Sequence, residues 1–202
     1  MTIVGALSGG SALLLLSLLP SPPSNSPALA AWVEQGYSLL SWSGELLFIA
    51  VVCWGAGLIG LVGERRRRHS ARSSVGLSAL AVAVVALVVV LLALGRLVYP
   101  VYEIGLSAEV LALVVSTTYG AVYLAYLGFA VVAVALSWAT SAGIVGRAFG
   151  LVAAIVFTIG SFPWLTPTWW NSVVAALLGA WGVFLAFATQ IRVALSSDET
   201  DP

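Results

Sequence analysis

The chain has 202 residues, 61% of them hydrophobic and only 8% charged, with a mean hydropathy of +1.08. Soluble domains carry roughly 25% charged residues, so most of this surface could not be kept in water and a lipid bilayer is implied as its solvent. The formal net charge is zero, so the total says little about partners, and the positions of the charges carry the information.

Charges are absent from Thr2 to Val33, from Leu46 to Gly63 and from Ser73 to Gly95, and two longer uncharged intervals run over 110–146 and 148–191. One helical crossing takes about 20 apolar residues at a rise of about 1.5 Å each. The last interval is long enough for two crossings, with "SFPWLTPTWW" (161–170) at its middle. Proline breaks helices and tryptophan prefers the headgroup zone, so that stretch reads as an interfacial turn. The pattern predicts an all-α, polytopic transmembrane helical bundle forming one domain. Its six spans fall at roughly 3–19, 43–62, 75–98, 110–137, 147–164 and 170–192, with a disordered acidic tail over 193–202. The runs are continuously apolar and do not alternate, which favours helices over a β-barrel.

The first run, "ALSGGSALLLLSLLP" (6–20), is short, and "ALA" at 28–30 resembles a signal-peptidase site. No Arg or Lys precedes the run, so an uncleaved span is expected. "PSPPSNSP" (20–27) reads as a rigid, extended linker. "ALAAWVEQGYSLLSWSGELL" (28–47) has two readings. One is a surface helix with Trp32, Val33, Leu39, Leu40 and Trp42 toward lipid and Glu34 and Gln35 toward water. The other is an extension of span two.

All eight basic residues are arginines, and Arg65, Arg66, Arg67, Arg68 and Arg72 crowd into "GLVGERRRRHSARSS" (60–74). A short arginine-rich loop between spans stays in the cytoplasm by the positive-inside bias. Counting spans from it places Arg147 and Arg192 on the same side, seven of the eight arginines in all, and puts both termini in the cytoplasm. The implied location is the plasma membrane. The cluster is a topology anchor that also attracts anionic lipid, at about 1 kcal/mol per arginine. Such a loop is a poor platform for nucleic acid, which is not expected as a partner.

Ionisable groups inside a bilayer are costly and mark functional candidates. Glu45 begins span two and Arg96 lies near the outer end of span three, followed by Glu103 and Glu109 in "YPVYEIGLSAE" (99–109). Arg96 is expected to snorkel or to pair with one of these carboxylates. In "STTYGAVYLAY" (116–126), Ser116, Tyr119, Tyr123 and Tyr126 recur at steps of three and four and so share one helical face. The face reads either as interhelical hydrogen bonding or as a pocket lining, whereas Thr117 and Thr118 can bond carbonyls one turn back. "GALSG" (5–9), "GRAFG" (146–150) and the series Gly57, Gly60, Gly63 read first as close helix packing, with contact to a second copy as the alternative.

The C-terminal half, "YGAVYLAYLGFAVVAVALSWATSAGIVGRAFGLVAAIVFTIGSFPWL", has a distinct rhythm: a glycine-bearing helix of small and aromatic residues, a short loop, then arginine and glycine opening the next span. Over about 110–192 this resembles uncharacterised six-span bacterial and archaeal membrane proteins of domain-of-unknown-function type. The resemblance implies six helices and a plasma-membrane location, and it lends no function.

The residue inventory excludes much chemistry. With no lysine there is no Schiff base for retinal, and with His69 alone a single chain cannot supply bis-histidine haem ligation. Cys53 alone gives no intramolecular disulfide relay. No phosphate-binding Gly-rich loop, GxSxG or HExxH occurs, and the only aspartates, Asp198 and Asp201, sit in the tail. No catalytic residues, cofactor or metal are expected, and the chain reads as a non-enzyme. The leading expectation is a small-molecule or lipid-interacting transport component or accessory subunit. Its pocket would lie between spans two, three and four, lined by Glu45, Arg96 and the tyrosine face, with Glu103 and Glu109 nearby. The alternative is an assembly partner that packs on another membrane protein or a second copy through glycine faces. A third reading makes Glu45 or Glu109 the acid/base of a lipid-modifying enzyme.

Overall fold

A computed structural model describes residues 3–65, 71–99, 105–139 and 143–198, and among these every regular element is a helix. The helices are α1 (Ile3–Ser17), α2 (Ser26–Gln35), α3 (Tyr37–Arg65), α4 (Ala71–Val98), α5 (Ala108–Ala139), α6 (Gly143–Gly160) and α7 (Trp170–Asp198). Five of them contain segments long and apolar enough to cross a membrane: Tyr37–Gly60, Ser74–Val98, Ala108–Ser137, Gly143–Gly160 and Trp170–Phe187. Their outward sides expose Ile59 at 75%, Leu92 at 69% and Leu113 at 64%, a surface that only lipid would solvate. The protein is membrane-embedded.

Six helices close a ring in the order α1, α3, α4, α5, α6, α7, with α1 wedged between α3 and α7. α2 lies outside the ring at one end, against α3 and α5; that end is called the α2 end. α1 is shorter than the other five, 15 residues or about 22 Å against a hydrocarbon thickness of about 30 Å. It is nonetheless built into the bundle, with Ala6 and Ala12 fully buried.

Glycine explains how α1 fits. A Cβ on Gly9 would stand 2.5 Å from the Trp54 ring of α3, and one on Gly10 would stand 2.8 Å from the Gly179 Cα of α7. Lipid gives no hydrophobic drive for helices to associate, so close backbone approach is what dispersion requires. Gly150 of "GRAFG" meets Ser137 of α5 in the same way. These glycines pack within the chain. Gly60 does not, since nothing lies within 4 Å of where its Cβ would be.

The middle of the ring is filled by aromatic side chains. Trp54 of α3 packs edge-on to Phe129 of α5 (5.1 Å between ring centres), Phe129 contacts Phe157 of α6 (6.5 Å), and Phe157 contacts Trp181 of α7 (5.9 Å). All four are buried. Edge-to-face pairs at these separations add about 0.5–1.5 kcal/mol each beyond their area burial. Together they form an aromatic plug across the middle of the ring.

Three expectations are corrected in detail. The 28–47 stretch divides at Gly36 into α2 and α3, and Trp32 and Leu40 point into the protein, not toward lipid. The reason is local: the Trp32 indole donates to the Pro20 carbonyl (2.8 Å), which draws the ring under the linker. Glu34 and Gln35 are exposed, as expected, and so is Trp42. The tail expected to be disordered from 193 is helical as far as Asp198, because "VALSS" simply continues the last helix. Span five starts earlier than expected, at Gly143, whose φ of +68° makes the turn out of α5, and ends at Gly160. Ser161, which follows, turns its hydroxyl back to the Thr158 carbonyl (2.7 Å).

Candidate functional site

The first half of α5 presents one polar stripe, and the ring turns that stripe inward. Tyr119 is half-buried, Tyr126 fully buried, and the rings of Tyr119, Tyr123 and Tyr126 follow one another at 6.5 and 6.4 Å between centres. They line a cavity of about 480 Å3 at the α2 end, within the range of about 300–1,000 Å3 typical of small-molecule sites.

The remaining walls come from five other places. α1 contributes Leu13, Leu16 and Ser17; the proline-rich linker contributes Ser21 to Ser24; α2 contributes Leu29. The 161–169 turn supplies Pro163, Thr166 and Thr168, and α7 supplies Asn171 in its first turn. The linker is held in place from both sides. Trp32 bonds its start, and Asn25 caps α2 by accepting from the Ala28 amide at 2.9 Å. Ser17 and Ser172 meet at 2.8 Å between hydroxyls and tie α1 to α7 beside the cavity. Phe129, one turn beyond Tyr126, begins the aromatic plug and is not on the cavity lining.

The electrostatic character follows from the lining. Among the described residues that line it there is no Asp, Glu, Lys, Arg or His. Three of the seven small hydroxyls on the lining are occupied by backbone: Ser17 donates to the Leu14 carbonyl (2.7 Å), Ser116 to Leu113 (3.0 Å) and Thr118 to Val114 (2.8 Å). The other polar side chains of the lining are Ser21, Ser24, Thr166, Thr168, the three tyrosines and Asn171, which approaches Tyr123.

The expected grouping of site residues is only partly realised. Tyr119, Tyr123 and Tyr126 come together on one cavity, but Glu45 and Arg96 are not on its lining. Glu45 is exposed on α3, where its carboxylate accepts from the Tyr99 hydroxyl at 2.9 Å, with Ser41 at 3.3 Å from the same hydroxyl. Arg96 is half-buried on α4, one turn before Tyr99. Glu109 is exposed in the first turn of α5. The separation has a simple cause: α4 lies between α3 and α5 in the ring, so the α3–α4 seam faces away from the α5 stripe. Glu103 lies outside the described residues, as do Arg66, Arg67, Arg68 and His69; Arg65 closes α3 and Arg72 lies in the first turn of α4.

Sequence reasoning missed the linker, Thr168 and Asn171 as lining residues. A signal was present for the last of these: an amide in the first turn of an otherwise apolar membrane helix has to find a partner. Nothing in the linker's composition distinguishes a cavity wall from a spacer.

No family model, curated protein or solved structure matches this chain.

Proposed function

We propose that this chain is a non-enzymatic, plasma-membrane protein that binds an uncharged small molecule or lipid in the α2-end cavity, as a transport component or accessory subunit. The observation that carries this reading is the tyrosine stripe on a cavity whose described lining carries no charge. A charged guest would lose its hydration there without gaining a counter-charge. An uncharged one loses far less and can use the aromatic faces. The same lining speaks against general acid/base catalysis by Glu45 or Glu109, because neither reaches the cavity.

In this reading α1 is the sixth span and its small length is compensated by its burial between α3 and α7. The arginine loop and both termini face the cytoplasm, and the α2 end faces outward. Exposed Trp164, Trp169, Tyr37 and Tyr99 then ring the outer headgroup zone, where amphipathic aromatic side chains prefer to sit.

The assembly-partner reading keeps one observation in its favour: Gly55 and Gly60 stand open on the outward side of α3. Extraction of the protein with its native lipid, followed by mass spectrometry under non-denaturing conditions, separates the two. The cavity reading expects a retained neutral molecule in near-stoichiometric amount. Protein that carries only bulk lipid, or a co-purified membrane protein in fixed ratio with an empty cavity, would favour assembly instead.

A further inference from the structure

A second hollow lies away from the α2-end cavity, where α4, α5 and α6 meet. This groove of about 590 Å3 has buried Ala130, Ala135 and Ala154 as its floor and exposed Val75, Val131 and Val134 along its walls. Side chains of a single carbon leave the space open, and the exposed valines show that it opens toward lipid. Thr158 is the one polar residue on the described lining, and its hydroxyl already donates to the Ala154 carbonyl at 2.8 Å. The groove is therefore hydrocarbon in character, with its one side-chain donor engaged.

Positive charge stands at one end of it. α4 and α6 both open where α5 closes: a Cβ on Gly76 would stand 2.9 Å from Ala135, and Gly150 meets Ser137. Arg147 lies in the opening turns of α6, exposed, and pairs with no described carboxylate. Steps of four, three and four put Arg147, Leu151, Ala154 and Thr158 on one face of that helix, so the arginine heads the line that the groove follows. Arg72 comes one turn before Val75 on α4 and adds a second positive charge at this end. Neither helix has an acidic residue in its first turn, so no carboxylate of their own offsets the partial positive charge of the two helix N-termini.

The dimensions fit one leaflet. From Arg147 to Thr158 the helix rises about 16 Å, at 1.5 Å per residue, and half of a hydrocarbon core of about 30 Å is similar. A cationic end followed by that depth of hydrocarbon is complementary to an anionic amphiphile in both charge and length.

We propose that the α4–α5–α6 groove seats an acyl chain of an anionic phospholipid whose headgroup sits at Arg147. The site is separate from the α2-end cavity and does not depend on what that cavity binds.

The test uses the full chain in phosphatidylcholine nanodiscs doped with one of two probes that share a diazirine-bearing acyl chain, a phosphatidylglycerol or a phosphatidylcholine. Both carry a phosphate, and only the first carries a net charge. Labelled positions are mapped by mass spectrometry after irradiation, with lipid-facing Val52 of α3 as the internal reference. The anionic probe should label 130–135 and 151–158 about fivefold more than the zwitterionic one, the worth of one arginine at an anionic surface. Arg147→Gln should bring that ratio close to one, whereas Arg147→Lys, which keeps the charge, should preserve most of it. Val134→Trp, on an exposed wall, should fill the groove and lower its label from both probes at least threefold while Val52 is labelled as before. A ratio in the groove no higher than at Val52, or one that survives Arg147→Gln, overturns the headgroup assignment. Groove label that is indifferent to Val134→Trp, or a groove that is never labelled, overturns the lipid seat itself.

Discussion

The α2 end of the bundle and its middle are built from similar residues put to opposite uses. At the α2 end, tyrosines from one helix face an opening that five segments surround but do not fill. In the middle, Trp54, Phe129, Phe157 and Trp181 come from four helices, meet edge to face and are all buried. The difference lies in the neighbours. Gly5, Gly9, Gly10 and Gly179 let α1 close against Trp54 and α7 at mid-bundle. Toward the α2 end α1 turns to leucine and serine and then gives way to a linker with three prolines, which cannot pack as a helix would.

That contrast can be broken by emptying the middle. Phe129→Ala removes the ring that touches both Trp54 and Phe157 and should cost about 3–5 kcal/mol, read as a large fall in the thermal unfolding temperature in detergent. The void would also extend the cavity inward past Tyr126. A somewhat smaller effect is expected where the glycine contact is spoiled. Gly10→Val would drive side-chain atoms into the Gly179 backbone, which has no rotamer to yield, and should cost about 1–3 kcal/mol in the same assay. Gly60→Val, with nothing within 4 Å, should change stability by less than about 0.5 kcal/mol. If Gly60→Val proves as harmful as Gly10→Val, the open face of α3 is an interface and not a lipid-facing surface.

The smallest effect sharpens the contrast from the other side. Tyr126→Phe deletes a hydroxyl that bonds no described residue, so the unliganded protein should unfold within about 0.5 kcal/mol of the parent. A loss of 2 kcal/mol or more would mean that the tyrosine stripe serves packing, as in the middle of the bundle.

How much of this was readable from residues alone differs by level. Span positions followed from charge-free intervals, because hydrocarbon forbids charge more strictly than any propensity rule shapes a helix: 75–98 and 110–137 coincide with the cores of α4 and α5. The tyrosine face followed from spacing on a single helix. The partners of that face did not, since they depend on which helices become neighbours. Glu45 and Arg96 were grouped with the tyrosines because all lie toward the same end of the bundle, yet α4 separates them from the cavity. Asn171 and the linker reach the cavity only because α1 and α7 pack together through Gly10 and Gly179, an approach of two glycines far apart in the chain.

The central claim of the proposed reading is a cavity reached from the α2 end, proposed to be the outer side, and sealed at mid-bundle, and thiol accessibility tests it most directly. In a Cys53→Ala background, single cysteines replace Thr168 at the mouth, Tyr119 within the cavity, and Ala133, buried one turn beyond the plug residue Phe129. A membrane-impermeant maleimide added to intact cells should modify positions 168 and 119 and spare 133. Modification of 133 as fast as 119, or labelling of 119 only from the cytoplasmic side of inverted vesicles, would contradict it.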